Sequence, residues 1–194
     1  KADLVIVLNA VTTPRWVSVP RGNLIKVLQE PAIENPWTHL FTYWHSKIFD
    51  RILTHTPALD DPRQVRSLPC TGSFVDPTTF TEQPFDLKKQ PLSIVASTLA
   101  ILPGHKVRLN FVTELLSRFP GLTLHTFGKG REKELNQKID GLRDYRFSIA
   151  IENSCMPSYI TEKFYDCILA GSVPLYYGAP DVSDYFPIDS YIPL

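Results

Sequence analysis

The sequence predicts an α/β protein built on parallel sheets. Two observations carry that expectation: short apolar runs of strand length alternate with stretches of helical period, and the clearest runs are apolar almost throughout, as strands covered on both faces are. The chain has 194 residues, of which 43% are hydrophobic. That suffices for one large domain or two small lobes with a real core.

The elements follow in order. "DLVIVL" (3–8) and "LIKVLQ" (24–29) read as short buried strands. Residues 38–49 read as a helix, with Leu40, Phe41, Trp44, Ile48 and Phe49 at helical spacing, and "RILTHT" (51–56) reads as a further strand. A proline-rich belt from Pro57 to Pro91 has few apolar periods and many turn formers, and is expected to cross from one lobe to the next. Beyond it, "LSIVAS" (92–97) is a strand, and 104–119 is an amphipathic helix with Val107, Phe111, Val112, Leu115, Leu116 and Phe119 as its apolar face. "LTLHTFG" (122–128) is a strand, 132–142 a short exposed helix, "FSIAIEN" (147–153) a strand, 161–171 a helix and "VPLYYG" (173–178) the last clear strand. The expected division is a partial first lobe over 1–87 and a second over 88–194.

Charge and cysteine content exclude some classes. Twenty basic and twenty acidic residues cancel, which argues against a nucleic-acid partner. Cys70, Cys155 and Cys167 form no CxxC and no zinc spacing, and no N-x-S/T sequon is present; both lean towards a reducing compartment. The five histidines show no HExxH, and there is no Walker A motif, no GxGxxG and no DxD triplet across 150–181. No metal site is therefore expected and no divalent ion is indicated. No run reaches the ~18 continuous apolar residues of a membrane span. The chain opens already in a strand, which leaves room for a segment, and an anchor, upstream.

The stretch 147–181, "FSIAIENSCMPSYITEKFYDCILAGSVPLYYGAPD", sets polar residues between two apolar runs. Buried polar groups are costly unless paired or in use. Glu152 and Asn153 fall where a strand ends, Tyr159 and Thr161 where the next helix starts. Parallel sheets bind ligands at the carboxyl ends of their strands, and helix N-termini suit phosphates. On the helix, Ile160, Phe164, Cys167, Ile168 and Gly171 form the stripe facing the sheet, with Glu162, Lys163 and Asp166 off it. By pattern alone those charges are a solvated face; by position, Glu162 and Lys163 can meet a ribose hydroxyl and a diphosphate. Arg108 has the same two readings, a surface charge or a bidentate phosphate contact. Arg146 and Lys129 have weaker claims of the same kind. Glu30, at the end of an apolar strand and before a proline, is either an exposed loop acid or a general base.

The same stretch closely resembles the signature of the α1,3/4-fucosyltransferases. Glu152-Asn153-Ser154, Thr161-Glu162-Lys163, Tyr159, Gly171, Val173, Pro174 and Gly178 stand at the family's spacing. "GHKVRLNFVTELL" looks like the family's arginine-bearing helix. "LQEPAIENP" looks like its Glu-Ser-Pro segment, although here Glu30 is followed directly by Pro31. The resemblance covers most of the chain from about residue 24.

That resemblance implies a GT-B fold, two Rossmann-like lobes with parallel sheets facing a cleft, here truncated at both ends. It implies an inverting transferase moving L-fucose from GDP-β-L-fucose to an N-acetylglucosamine-containing glycan, in α1,3 or α1,4 linkage. Glu30 would be the catalytic base. Arg108, Asn153, Tyr159, Glu162 and Lys163 would bind the donor, with no cofactor required. The implied partners are GDP-fucose and an oligosaccharide or glycoconjugate acceptor, with room for peripheral membrane association. Missing disulfide cysteines favour a bacterial-type relative, cytoplasmic or membrane-peripheral; a eukaryotic one would sit at the Golgi membrane through an anchor outside this chain. The rivals are another GT-B nucleotide-sugar transferase, a non-catalytic carbohydrate-binding relative and an inactive fragment.

Overall fold

A computed structural model describes residues 3–9, 18–31, 36–44, 46–56, 61–69, 72–73, 84–101, 103–131 and 133–194. Cys70, His45 and most of the proline belt between 57 and 83 lie outside them, as does residue 132. The chain forms two compact units: residues 1–71 with 156–159, and residues 72–155 with 160–194. The chain first passes between them at 71/72, ahead of the 87/88 boundary expected from the sequence.

The first unit carries a four-stranded parallel sheet in the order β1 (Val5–Leu8), β2 (Leu24–Leu28), β3 (Arg51–Thr54), β4 (Gln64–Arg66). Strand β4 lies inside the proline belt, where no apolar run announces it: with Val65 38% exposed, it is held by backbone pairing to β3. β1 is not the buried strand its composition suggests. It is an edge strand, with Ile6 and Leu8 exposed. Leu28, Phe49 and Ile52 make the core, with Val7, Leu24 and Phe41 against it. Helix α1 (Pro36–Trp44) stops before the expected residue 49, and a 3-10 turn at Ser46–Ile48 follows. Its buried positions include Thr38 and Thr42, while Leu40 and Ile48 are exposed. Thr42 is tolerated there because its hydroxyl donates to the Thr38 carbonyl at 2.8 Å.

The second unit carries a five-stranded parallel sheet, ordered β6 (Leu124–Phe127), β5 (Gln90–Val95), β7 (Tyr145–Ile151), β8 (Val173–Tyr177), β9 (Ile192–Pro193). Helix α2 (Pro103–Arg118) follows β5 and helix α3 (Glu162–Leu169) follows β7. Leu92, Ile94, Val112, Ile149 and Ile151 are buried together, with Phe111 and Leu115 of α2 packed on them. The helix expected over 132–142 is not formed among the described residues. A 3-10 turn at Lys138–Gly141 takes its place and buries Ile139. The sheet order places β5 between β6 and β7. Chain connections therefore leave β5 towards one side and return to the other, and the carboxyl ends of β5 and β7 flank the switch point at which such sheets open a crevice. Among the described residues no helix is long and apolar enough to cross a membrane.

Candidate functional site

Two sequence readings shift once the helices pack. Val107 and Leu116, expected on the apolar face of α2, are exposed, and the buried positions are His105, Arg108 and Val112. Arg108 is therefore on the inward face, 5% exposed, not beside it. In and ahead of α3, Ile160, Phe164 and Cys167 of the expected stripe are buried, but Ile168 is 38% exposed and Asp166 is fully buried, the reverse of the expectation for those two.

Helix α2 comes to the switch point through a close backbone approach. A Cβ on Gly104 would lie 1.8 Å from the Asn153 carbonyl oxygen, so only glycine lets the first turn of α2 seat on the loop after β7. One turn on, Arg108 Nη1 donates to Asn153 Oδ1 at 3.2 Å. Burial, then the neighbouring Arg131, pulls the guanidinium pKa down; Glu152 partly opposes this. His105, on the same face, has its pKa lowered by burial and by the charges of Arg108 and Lys163.

The carboxylate of Glu152 is an internal strut. It is 2% exposed and accepts from the Thr161 backbone N–H and hydroxyl, each at 2.7 Å, and from Lys163 Nζ at 3.3 Å. Thr161 caps α3 in extended conformation, its side-chain oxygen accepting from the Lys163 N–H. Burial raises the Glu152 pKa, and Lys163 and Thr161 draw it back. Lys163 also lies 3.6 Å from Glu162 Oε1. This network explains how the end of β7 tolerates a carboxylate: its acceptors are bonded to the first turn of the next helix. A second buried pair, Lys138 Nζ to Asp166 Oδ2 at 2.7 Å, ties α3 to the 3-10 turn.

Arg108, Lys138 and Lys163 line one cavity with Ala96 at the end of β5 and Ala150 and Ile151 at the end of β7. Of the expected donor residues, Arg108, Asn153, Glu162 and Lys163 thus belong to the second unit. Glu30 and Tyr159 are brought together in the first, where the Tyr159 hydroxyl donates to Glu30 Oε2 at 3.2 Å. The Tyr159 ring is 2% exposed and tilts against that of His55, centroids 5.0 Å apart. Sequence reasoning passed over His105, Thr161 as the partner of Glu152, and the Lys138–Asp166 pair. Their signal is only tertiary, except for Thr161, whose place ahead of Glu-Lys is a capping position.

The family model described as glycosyltransferase family 10 (fucosyltransferase) C-term matches residues 87–194, more than half of the chain. The chain belongs to glycosyltransferase family 10. Among relatives, the α-(1,3)-fucosyltransferase B of Drosophila melanogaster is 48% identical over 46 residues, 24% of this chain and 10% of that protein. The 4-galactosyl-N-acetylglucosaminide 3-α-L-fucosyltransferase 9 of Cricetulus griseus is 35% identical over 94 residues, 46% of this chain and 25% of its own. A solved α1,3-fucosyltransferase with GDP superposes on 100% of this chain and 61% of its own, with a TM-score of 0.60 at 18% identity. The fold is thus the GT-B α/β class expected, each unit with its parallel sheet. The matches span a quarter or less of these two curated relatives and under two thirds of the solved chain.

Proposed function

We propose that this family 10 chain serves an inverting fucosyl transfer, from GDP-β-L-fucose to a hydroxyl of an N-acetylglucosamine-containing glycan, in α1,3 or α1,4 linkage. The observation that carries the reading is the convergence of Arg108 and Lys163 on one cavity at the switch point of the second sheet. In this reading Glu30 takes the proton of the acceptor hydroxyl, whose oxygen attacks the anomeric carbon. The bond from that carbon to the diphosphate breaks with its electron pair on GDP. As in glycoside hydrolysis, positive charge spreads over the sugar ring while negative charge grows on the leaving group. Arg108 and Lys163 oppose that negative charge from fixed positions, so no solvent reorganisation is needed as it forms. Glu162 holds a ribose or sugar hydroxyl, Asn153 orients Arg108, and Tyr159 holds the Glu30 carboxylate through its hydroxyl.

The test is turnover of GDP-fucose with a panel of N-acetyllactosamine-type glycans, read by released GDP and by the anomeric configuration of the product. An α-fucoside with stoichiometric GDP is expected. Calorimetry with UDP- and ADP-sugars alongside separates this reading from that of another nucleotide-sugar transferase, which would prefer one of them.

A further inference from the structure

Among the described residues, the cations around the cavity of the second unit are not all paired. Lys138 is matched by Asp166 at 2.7 Å, and Lys163 by Glu152 at 3.3 Å and Glu162 at 3.6 Å. Among the described residues the one hydrogen-bond partner of the Arg108 side chain is the neutral amide oxygen of Asn153, with Glu152 attracting it at longer range, and its Nε is buried without an acceptor. Among the same residues the Arg131 side chain has the backbone carbonyl of Ala96, 3.4 Å from its Nε, and its Nη2 is likewise buried without an acceptor. Among the described residues neither arginine makes an ion pair, although Ala96 lines the same cavity as Arg108. Arg131 helps to pull the Arg108 pKa down, and each guanidinium holds a buried N–H without an acceptor among the described residues, an arrangement that a bound anion would relieve.

The backbone is built to place Arg131 there. Gly128 (φ 128°) and Gly130 (φ 81°) adopt positive φ, and a Cβ on Gly128 would come within 2.7 Å of the Ala96 backbone. The loop after β6 can therefore lie against the end of β5, where Thr98 N–H donates to the Lys129 carbonyl at 3.1 Å. A tight turn, Arg131 N–H to the Gly128 carbonyl at 3.0 Å, then directs the chain so that the Arg131 side chain reaches Ala96.

We propose that Arg131 is a second guanidinium for the donor's diphosphate, and that the Arg108–Arg131 pair supplies the larger share of its counter-charge. This rests on the donor-site reading above. Lys163 and Lys138 are paired with protein carboxylates, whereas the two guanidinium groups make no ion pair among the described residues and so face a nucleoside diphosphate bridge with their positive charge still available. Planar forks suit phosphoryl oxygens through paired hydrogen bonds, which a lysine in the same place cannot supply.

The experiment is calorimetric titration of GDP, inorganic pyrophosphate and guanosine into the wild-type chain, Arg131→Met, Arg131→Lys and Arg108→Met. Arg131→Met is expected to weaken GDP at least tenfold and pyrophosphate similarly, and to leave guanosine unchanged. Its ligand-free melting temperature should not fall, because a like-charge neighbour is removed. Arg131→Lys should fall between wild type and Arg131→Met. GDP affinity within twofold of wild type in Arg131→Met, or wild-type affinity in Arg131→Lys, overturns the proposal. If Arg108→Met still weakens GDP in that event, the donor-site reading survives and only Arg131 loses its role. If neither arginine matters, both fall.

Discussion

Removing the ammonium of Lys163 should destabilise the second unit through Glu152, and a compensating change at Glu152 should undo most of that. The Glu152 side chain is fully buried and Lys163 is 21% exposed, 3.3 Å away. Breaking one side of a buried ion pair typically costs 3–5 kcal/mol, because the other charge is stranded. Here Thr161 keeps two hydrogen bonds to the carboxylate and the lysine is partly solvated, which brings the expected loss for Lys163→Met to roughly 2–3 kcal/mol. Glu152→Gln with Lys163→Met leaves no stranded charge and should return to within about 1 kcal/mol of wild type, a coupling of roughly 2 kcal/mol. Urea unfolding of the four proteins of the cycle, without ligand, measures it. The pH dependence has a definite sign. Burial holds the Glu152 pKa above its ordinary value of 4.5, and loss of Lys163 removes the main opposing influence, so it rises further. For a carboxyl so raised, stability is full below the ordinary value and is lost as pH rises through the folded value. The deficit of Lys163→Met should therefore be smaller at pH 5 than at pH 8. Coupling under about 0.5 kcal/mol, or a deficit that grows on acidification, refutes the strut. GDP affinity of the double variant then reports the direct contribution of Lys163, separated from folding.

Three further expectations follow from single residues. Gly104→Ala places a methyl 1.8 Å from the Asn153 carbonyl, so α2 must lift from the switch point. A stability loss of about 2 kcal/mol or more and weakened GDP binding are expected by denaturant melts and calorimetry. Lys26, fully buried in β2, has its ammonium 5.9 and 5.7 Å from the ring centroids of Phe41 and Phe49 and no hydrogen-bond partner among the described residues, and burial lowers its pKa to about 8 from 10.5. The charged form is thus penalised fully below pH 8 and not at all above 10.5. Lys26→Met should stabilise the first unit by up to about 3 kcal/mol at pH 7, with the gain shrinking towards pH 10 in thermal melts. Glu30→Gln should lower fucosyl transfer at least about 100-fold while GDP affinity stays at the wild-type value, because the proposed base belongs to the chemistry and not to the nucleotide contacts.

Much of the second unit is determined by the sequence alone. The strands at 92–97, 122–128, 147–153 and 173–178 and the helices around 104–119 and 161–171 are continuous in sequence, and their apolar runs carry the period of the element they form. The family motif likewise is local: Thr161 caps the helix that starts at Glu162 because a cap needs only its own next turn. Tertiary structure decided the rest. Whether Arg108 and Asp166 face in or out depends on a few tens of degrees of helix rotation, set by what each helix packs on and not by the hydrophobic count. The 3-10 turn at Lys138–Gly141 replaces a helix because Ile139 and Leu142 have a core to enter and Lys138 has a buried partner in Asp166, 28 positions away. Strand β4 exists through hydrogen bonds to β3, which composition does not encode. The pairing of Glu30 with Tyr159 spans 129 positions, and the arrangement of Arg108 and Arg131 around the end of β5 joins two loops and a helix. Distance along the chain erases such signals. Only folding brings such separate charges together.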